Sequence, residues 1–466
     1  MTLKFRFKSG VQKSRNDDDL LLVDQIGRQL RLRAPSAAIH SMLERLAGEG
    51  STMLDLMDAS FNFAPLITMQ NLEERGWISL DLVEGEKTFI TLEPQANRLE
   101  RRHQLVRHLP VQWSRFVQIT PQVDGVLMQV PLQGRRLHLH HESLMPLIWE
   151  LRSATCWDEV LQSLPRSLQK EADDLLMLLL SAGVLGFVEN DGMLSCDRKA
   201  DRQLWSREDL TFHYRSRLGW HERSVGATYR GASLGSAPGL RHQGRFLKAF
   251  PLPKPTLHEP EPGFFTVVEK RRSRRLPGTN TVTIQQLSNL LWSSLRIQEF
   301  ESAISDEVLS YESASRPVAC GGAMHEVDTY LLIRSCDGIA SGLYRYEPSD
   351  HQLLRLDGLN DACKLLLEHS CRSAGTQQQP DILFQFAGRY GRLSWKYEGL
   401  TYSMMLKNLG AIIQQLYLVS TALNLAPCSL GRGDSELFSR ATSLDPLEDT
   451  CIGEFMLSSI TPSIEG

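Results

Sequence analysis

An outline that occurs twice in the first 200 residues constrains the fold of this chain more than any other feature. Residues 21–94 and 126–196 each read as a strand, two short helices, a longer helix and a hairpin. Each longer helix precedes a glycine, Gly76 or Gly183, which can close a helix in the left-handed conformation. The repeat predicts two successive domains, which are residues 1–100 and 101–200.

The order of elements in each repeat is that of a winged helix-turn-helix, a module that binds either DNA or protein. The two longer helices carry acidic side chains, which are Glu73, Glu74, Glu171, Asp173 and Asp174. These carboxylates would repel phosphates, and the net charge of −4 gives no basic footprint for nucleic acid. We therefore expect no nucleic-acid partner.

The outline also resembles the small peptide-recognition domains of enzymes that modify ribosomally made peptides. Such domains bind a leader peptide as an added strand at the edge of the wing hairpin. The alternative is that both modules serve only as scaffold and dimerisation domains. The pattern of elements does not decide between the two interpretations.

Composition excludes several other classes of protein. No apolar run approaches the roughly 20 residues that span a bilayer, so we expect no membrane association. Eight cysteines without a CxxC pair are typical of reduced thiols, and they predict a cytoplasmic protein. His138, His140 and His141 alternate in a predicted strand without a carboxylate or cysteine at ligand spacing, so we expect no metal site.

A change in composition marks a connector at residues 201–262. A glycine-rich run at 226–244 is followed by closely spaced prolines at 251–262. Alternating prolines favour an extended, semi-rigid chain. The aromatic residues of the connector are too numerous for a solvated linker, so we expect it to wrap around the domain that follows, residues 263–466.

A basic stretch opens this last domain. Arg271, Ser273 and Arg275 occur at alternate positions, so an extended chain places their side chains on one face. Arginine forks bind phosphate oxygens in pairs, and a hydroxyl adds a neutral donor. The stretch predicts a phosphate site, with Arg272 beside it. The alternative is a solvated basic run.

Three further motifs follow the basic stretch. Paired glycines that let a flat ligand approach the backbone occur in a first turn, which is Ala319, Cys320, Gly321 and Gly322. Lys396-Tyr397 precedes a long predicted helix, and Leu430-Gly431 follows it. The apolar residues of that helix fill more than one face, which predicts burial against a second copy of the chain; they are Leu406, Leu409, Ile412, Ile413, Leu416 and Val419.

With these motifs, residues 263–466 resemble the nitroreductase superfamily of flavin mononucleotide (FMN) enzymes, and more closely its azoline-dehydrogenase branch. Together with the two preceding modules, the chain resembles the cyanobactin thiazoline oxidases. The resemblance implies an α+β fold, with a nitroreductase-like mixed sheet and flanking helices after two tandem winged-helix-like domains. It also implies a homodimer that binds FMN at its interface.

The resemblance assigns the cofactor-binding residues. Those that would hold the FMN phosphate and ribityl chain are Arg271, Arg272, Ser273 and Arg275. Those that would lie against the flavin ring are Ala319, Cys320, Gly321, Gly322, Leu430 and Gly431. The chain departs from the family pattern at Ala319 and Cys320, which replace Pro-Ser, at Arg432, which replaces glycine, and at Asn408, which replaces glutamate.

Lys396 and Tyr397 distinguish the azoline branch. Oxidation of an azoline removes a hydride, which the flavin accepts, and a proton, which needs a positioned base. A free tyrosine has a pKa of about 10, so it is a poor base at neutral pH. A neighbouring ammonium or burial can shift this pKa. We expect Tyr397 to be the base and Lys396 to tune it, and the exchanged assignment stays open.

The function implied by the resemblance is oxidation of thiazolines or oxazolines to thiazoles or oxazoles in ribosomally made peptides, with oxygen reoxidising the flavin. The implied partners are an azoline-containing precursor peptide or macrocycle and a cyclodehydratase. One alternative is a general FMN reductase of nitroaromatics or quinones that uses NAD(P)H; it would not explain Lys396-Tyr397 or the preceding modules. A second is a non-catalytic scaffold subunit of a cyclodehydratase complex.

Overall fold

The structure of this chain is a computed structural model that describes residues 1–16, 18–56, 63–95, 109–256, 262–304 and 307–460. The chain divides into two units, Met1–Arg223 and Ser224–Gly466. The predicted boundary at residue 100 lies outside the described residues. Among the described helices, none combines the length and apolar character needed to cross a bilayer.

The strands of the first unit are β1 (Thr2–Phe7), β2 (Gln12–Asn16), β3 (Asp19–Val23), β4 (Gln29–Leu32), β5 (Ile78–Glu84), β6 (Lys87–Pro94), β7 (Pro110–Trp113), β8 (Gln118–Gln122), β9 (Gly125–Gln129), β10 (Arg135–Leu139), β11 (Thr155–Cys156) and β12 (Leu185–Phe187). Its helices are α1 (Ala37–Ala47), α2 (Ala64–Glu74), α3 (Met145–Glu150), α4 (Trp157–Gln162), α5 (Arg166–Lys170), α6 (Ala172–Ser181), α7 (Ala200–Leu204) and α8 (Arg207–Arg215).

One antiparallel sheet joins the two predicted repeats. Its strand order is β1-β5-β6-β10-β9-β8. The hairpin β5–β6 is the predicted first wing, and it turns at Gly85, whose φ of 60° suits glycine. Strand β5 pairs with β1, and β6 pairs with β10 of the second repeat. Both strands of the first wing are therefore already paired with neighbours, and the choice between leader-peptide binding and a scaffold role stays open.

The helices follow the predicted outline only in part. Helices α2 and α6 are the longer helices of the two repeats, and α6 is largely buried because half of its residues are leucine. The second short helix of the first repeat is a 3₁₀ turn, Leu54–Leu56, and residue 57 lies outside the described residues. The second wing is reduced to a bridge between Val188 and Leu194. The winged-helix assignment of both repeats stays a prediction.

The strands of the second unit are β13 (Gly226–Ala227), β14 (Lys248–Pro251), β15 (Glu299–Glu301), β16 (Ser313–Ser315), β17 (Val327–Ile333), β18 (Gly342–Glu347), β19 (Gln352–Asp357), β20 (Ile382–Arg389), β21 (Tyr397–Glu398), β22 (Leu425–Leu430) and β23 (Asp449–Ser459). Its helices are α9 (Phe264–Lys270), α10 (Ile284–Leu295), α11 (Asp361–Ala374), α12 (Tyr390–Lys396), α13 (Thr401–Ala422) and α14 (Ser435–Thr442).

A seven-stranded sheet organises the second unit, in the order β14-β19-β18-β17-β20-β23-β22. Together with its helices it confirms the predicted α+β class. The prediction of a mixed sheet is wrong in one respect, because every neighbouring pair of strands runs antiparallel. Short turns join β17 to β18 and β18 to β19, and such turns connect only antiparallel neighbours.

Helices cover both faces of this sheet. Because side chains alternate along a strand, Leu331 and Ile333 of β17 pack with α10 and α13, while Leu332 packs with α11 and α14. Strand β20 alternates in the same way, with Phe384 on the first face and Leu383 on the second. The sheet is therefore the middle of three layers.

Part of the predicted connector belongs to the second unit. Strand β14 adds to the sheet edge beside β19, and β13 pairs with β21. Residues 257–261 of the proline-rich stretch lie outside the described residues. The expectation that the connector wraps around the last domain agrees with these pairings, whereas the four-domain division stays a prediction.

Candidate active site

Lys396 and Tyr397 lie where α12 ends and β21 begins. Strand β21 pairs with β13, and the Thr401 hydroxyl donates a hydrogen bond to the Tyr397 carbonyl oxygen over 2.7 Å. The backbone of the pair is therefore held by two elements. Both side chains are half-buried.

The predicted glycine turn lies directly beside this pair. Gly322 has a φ of 66°, and a Cβ atom there would lie 2.6 Å from the Tyr397 hydroxyl oxygen and 3.3 Å from Lys396 Nζ. A larger residue would be strained by its backbone and would clash with the tyrosine. The structure thus brings the turn and the pair, predicted separately, into one site, which we call the glycine-turn site: residues 319–322, 396 and 397.

Two tyrosines that sequence reasoning missed complete the surroundings of Lys396. Lys396 Nζ donates a hydrogen bond to the Tyr311 hydroxyl oxygen over 2.5 Å, and that hydroxyl donates to the Gly322 carbonyl oxygen over 3.1 Å. Nζ also lies 4.6, 5.2 and 5.6 Å from the ring centres of Tyr311, Tyr397 and Tyr229. Aromatic faces attract cations at these distances.

These contacts set the charge of Lys396. Burial lowers the pKa of its ammonium, but the hydrogen bond to Tyr311 and the three tyrosines outweigh burial, so the net pKa is raised above the ordinary lysine value. Lys396 is therefore an ammonium ion at neutral pH. A lysine in this state cannot accept a proton.

A buried hydrogen-bond network supports the glycine turn from behind. The Gly321 N–H donates to Asn408 Oδ1 over 3.1 Å, and Asn408 Nδ2 donates to Glu326 Oε1 over 2.8 Å. The Cys320 thiol donates to Glu326 Oε2 over 3.3 Å. Burial, with the neighbouring Glu326 carboxylate, raises the pKa of Cys320 to about 12. Cys320 is thus a neutral donor that positions the turn and not a reactive thiolate.

A second group of predicted residues meets at Tyr417 on α13. Its hydroxyl lies 2.8 Å from Ser273 Oγ and accepts the Ser429 N–H over 2.8 Å, while the Arg271 guanidinium carbon lies 5.3 Å from the centre of its ring. The Arg274 N–H donates to the Pro427 carbonyl oxygen over 2.8 Å. The basic stretch and the segment before Gly431 are therefore neighbours, and we call them the basic site: residues 271–275 and 429–431.

The donors of the basic site fit an anionic flat ligand such as FMN. No carboxylate among the described residues pairs with Arg271, Arg272 or Arg275. A Cβ atom at the exposed Gly431 would meet no atom within 4 Å, which leaves that backbone open to a ring. The guanidinium of Arg272 instead turns to the end of α9, where it donates to the carbonyl oxygens of Glu269 and Arg271.

The two sites lie at different positions along α13. Asn408 contacts the glycine-turn site and Tyr417 the basic site, and these residues are about 13 Å apart along the helix axis. No hydrogen bond between described residues joins the two sites directly. One chain therefore brings the predicted cofactor residues together as two groups and not as one.

A cluster of possible metal ligands lies elsewhere in the second unit. Ligand atoms of His242, Asp328 and Asp449 lie within 4.8 Å of one another. However, Arg345 Nη1 donates to His242 Nδ1, so the imidazole hydrogen is on Nε2, which faces Asp449 Oδ2 at 3.4 Å. With its Nε2 hydrogen directed at Asp449, His242 presents no lone pair to the cluster, which reads as a hydrogen-bond network.

Two of the three histidines at residues 138–141 have carboxylate neighbours that are distant in sequence. His138 Nε2 lies 3.7 Å from Glu93, and His140 Nδ1 lies 3.5 Å from Asp124. Among the described residues they belong to no cluster of three possible ligands. His138 and His140 face separate carboxylates, and His141 contacts Ser143 and Lys87.

No protein-family model matches the chain. A curated protein named "Putative nitroreductase", from Methanocaldococcus jannaschii, is 24% identical over 169 residues, which cover 35% of this chain and 76% of that protein. This sequence similarity relates part of the chain to a nitroreductase-like protein.

Solved structures give weaker likenesses. A "putative nitroreductase" from Anabaena variabilis has 15% identity and a TM-score of 0.40, and covers 76% of this chain and 80% of its own. Another from Ralstonia eutropha has 18% identity and a TM-score of 0.37, and it covers 49% of this chain and 95% of its own. The E. coli microcin synthetase McbBCD complex, with a truncated pro-MccB17 bound, has 18% identity and a TM-score of 0.32, with coverages of 47% and 85%. Likeness at these scores does not transfer an activity or a ligand.

Proposed function

We propose that this chain is an FMN-dependent oxidoreductase that converts thiazolines or oxazolines into thiazoles or oxazoles in ribosomally made peptides. The observation that carries the proposal is the glycine-turn site, where an ammonium ion and a tyrosine hydroxyl lie against a turn in which a residue larger than glycine would be strained. The sequence similarity to a nitroreductase-like protein supports the oxidoreductase class.

The proposed cofactor contacts use donors that the structure leaves available. Arg271, Ser273 and Arg275 would hold the phosphate of FMN, and the backbones of residues 319–322 and 430–431 would lie against its ring. Bound FMN supplies a hydride acceptor for the ring carbon of the substrate. The chain's own task is then to hold the azoline in place and to take up one proton.

Tyr397 is the proposed base. Lys396 is already protonated and engaged with Tyr311, whereas the described residues offer no hydrogen bond to the Tyr397 hydroxyl. The base form of tyrosine is a phenolate, and an ammonium 5.2 Å from the ring centre is a favourable counter-charge for it. Lys396 would therefore act through Tyr397 and not in its place.

A homodimer is part of the proposal, because the two sites of one chain lie apart along α13. Exposed apolar side chains border the same helix: Phe264 and Phe265 on α9 are 64% and 81% exposed, and Leu406 on α13 is 38% exposed. A second copy of the chain would cover this surface. It would also bring a basic site to a glycine-turn site, so that each FMN contacts both chains.

The proposed partners follow from the substrate. A cyclodehydratase forms azoline rings from cysteine, serine or threonine side chains, so it would supply the precursor peptide or macrocycle that this chain oxidises.

All eight cysteines of this chain are free thiols, which fits a reducing cytoplasm.

The test of the proposed function uses the purified chain and a synthetic thiazoline peptide under air. We expect a yellow protein that lowers the mass of the peptide by about 2 Da, the two hydrogens lost on aromatisation. A peptide that keeps its mass in the presence of a fully FMN-loaded protein would contradict the proposal.

A second candidate function is favoured by the similarity to a nitroreductase-like protein. In that case the same protein would reduce nitroaromatics or quinones with NAD(P)H. Consumption of NADH with menadione, together with no change in the thiazoline peptide, would replace the first proposal with this one.

A further inference from the structure

Three tyrosines from three separate segments surround the ammonium of Lys396. Tyr397 follows Lys396 in the chain. Tyr311 lies between β15 and β16, before the glycine turn, and Tyr229 belongs to the predicted connector. Their ring centres lie 4.6 to 5.6 Å from Nζ. We call Tyr229, Tyr311 and Tyr397 the tyrosine cage.

Tyr311 links the ammonium to the glycine turn. Its hydroxyl accepts from Lys396 Nζ and donates to the Gly322 carbonyl oxygen, so both of its hydrogen-bonding functions are used. Without this hydroxyl, Nζ would lose its only hydrogen-bond acceptor among the described residues. The long lysine side chain would then be free to rotate away from Gly322.

Tyr229 is held in the cage by its backbone. Its φ of 53° is a left-handed conformation that is unfavourable for tyrosine, and its N–H donates to the Lys396 carbonyl oxygen over 2.9 Å. Two residues later, a Cβ atom on Gly231 would lie 2.6 Å from the Trp395 Cα. Strain of this kind persists only where surrounding contacts enforce it, so this segment is fixed against α12.

We propose that Tyr311 and Tyr229 are positioning residues of the azoline-oxidising site, which hold the Lys396 ammonium against Gly322 and leave the Tyr397 hydroxyl free for the substrate. This inference rests on the proposed function for its role in catalysis. Its structural part, the control of Lys396 by two tyrosines distant in sequence, can be tested without substrate.

The groups that act on Lys396 are few. They are the three tyrosines of the cage. Tyr311 also lines a cavity of about 600 Å³, together with Glu307 and Glu312. Removing the Tyr311 hydroxyl takes away the strongest interaction that raises the pKa of Lys396. The direction of the expected change is therefore downward.

The test measures the acetylation of Lys396 by trace acetic anhydride as a function of pH in the full-length protein, by mass spectrometry. In the wild type we expect Lys396 to be half-labelled at a pH above the ordinary lysine value of about 10.4. In Tyr311→Phe this midpoint falls most. In Tyr229→Leu it falls further than in Tyr229→Phe, which loses the ionisable hydroxyl but keeps the ring face.

Oxidation of the thiazoline peptide is the second readout. Tyr311→Phe should lower kcat at least about tenfold, as expected for loss of a hydrogen bond to a charged group, with KM changed less than about twofold. A lowered midpoint with no peptide oxidation by the wild type would uphold the cage and reject the proposed function. An unchanged midpoint in the folded Tyr311→Phe protein would overturn the cage, even if the wild type oxidises the peptide.

Discussion

Lys396 and Tyr397 are neighbours in the chain, but their polar atoms have different partners. The lysine is held by Tyr311, while the hydroxyl of Tyr397 lies against Gly322 without a hydrogen bond from any described residue. A base must reach the substrate, and a group already bound in a network cannot do so without breaking it. These contacts agree with the proposed roles, in which Lys396 supplies a positive charge and Tyr397 exchanges the proton.

The first residue-scale prediction concerns this division. Tyr397→Phe should lower kcat for thiazoline oxidation by about 10² to 10⁴, the usual contribution of a positioned base, with FMN still bound. Tyr402→Phe, an exposed tyrosine at the start of α13, is the matched control. The measurement is the rate at which the peptide loses mass. Activity close to wild type in Tyr397→Phe would show that Tyr397 is not the base.

The second residue-scale prediction concerns Gly322. An alanine there has an unfavourable φ of 66° and meets the Tyr397 hydroxyl at 2.6 Å. Gly322→Ala should lower the free energy of unfolding by about 1–3 kcal/mol and also lower kcat. Gly358→Ala, where a Cβ meets no atom within 4 Å, should change neither. Urea denaturation and the peptide assay measure the two effects, and a Gly322→Ala protein as stable and active as the control would contradict the packing described.

The third residue-scale prediction concerns Glu93 in the first unit. Burial alone would raise the pKa of Glu93, but hydrogen bonds from His138, Ser9 and Arg136 lower it to about 2. A carboxyl with a depressed pKa stabilises the fold above its unfolded pKa, and that stabilisation is lost as the pH falls through the folded value. Wild type should therefore lose up to about 3 kcal/mol between pH 4.5 and 2.

Glu93→Gln should be less stable at pH 7 and should lose less stability over the same pH range. The measurement is the free energy of unfolding from urea curves at a series of pH values. Parallel pH profiles for the two proteins would show that Glu93 does not carry this acid sensitivity.

At the scale of elements, α13 connects the two sites, because Asn408 contacts the glycine-turn site and Tyr417 contacts the basic site. Tyr417 is the only side chain among the described residues that hydrogen-bonds both Ser273 and the backbone of Ser429. The helix thus sets the spacing between the basic site and the glycine-turn site.

This role of α13 gives a prediction for cofactor affinity. Tyr417→Phe should raise the Kd for FMN about tenfold, as expected for the loss of about 1–1.5 kcal/mol of hydrogen bonding. At saturating FMN the rate of peptide oxidation should stay near that of the wild type. Quenching of flavin fluorescence measures the affinity. An unchanged Kd would show that Tyr417 does not contribute to FMN binding.

Local patterns in the sequence predict local structure in this chain. The long helix expected at residues 400–423 is α13, and the wing expected at residues 78–92 is the hairpin β5–β6, because helical periodicity and turn residues are encoded within a few positions. The α+β class, which the resemblance implies, is confirmed by the sheet and helices of the second unit.

Pairing between distant segments could not be predicted in this way. Tyr311 lies 85 residues from Lys396, and nothing near it in the sequence distinguishes it from other aromatic residues. The pairing of β6 with β10, which closes the first wing, and the antiparallel order of the large sheet are also contacts between distant segments. Such contacts depend on which surfaces remain to be buried once the local elements have formed.

For the whole molecule, the separation of the two sites and the exposed apolar residues of α9 predict a homodimer. Light scattering should give twice the chain mass of 52.7 kDa. Phe265→Asp should shift the protein toward the monomer and weaken FMN binding in parallel, whereas Leu447→Asp, at another exposed apolar position, should do neither. A monomeric Phe265→Asp protein with unchanged FMN affinity would show that one chain holds the cofactor alone.

The most direct measurement of the central claim is anaerobic mixing of the FMN-loaded protein with a thiazoline peptide, followed by the visible absorbance of the flavin. We predict that the peptide bleaches the flavin in a single turnover and leaves as the thiazole, that NADH does not bleach it at a comparable rate, and that the Tyr397→Phe protein stays yellow with the peptide. Bleaching by NADH, with no response to the thiazoline peptide, would contradict the account.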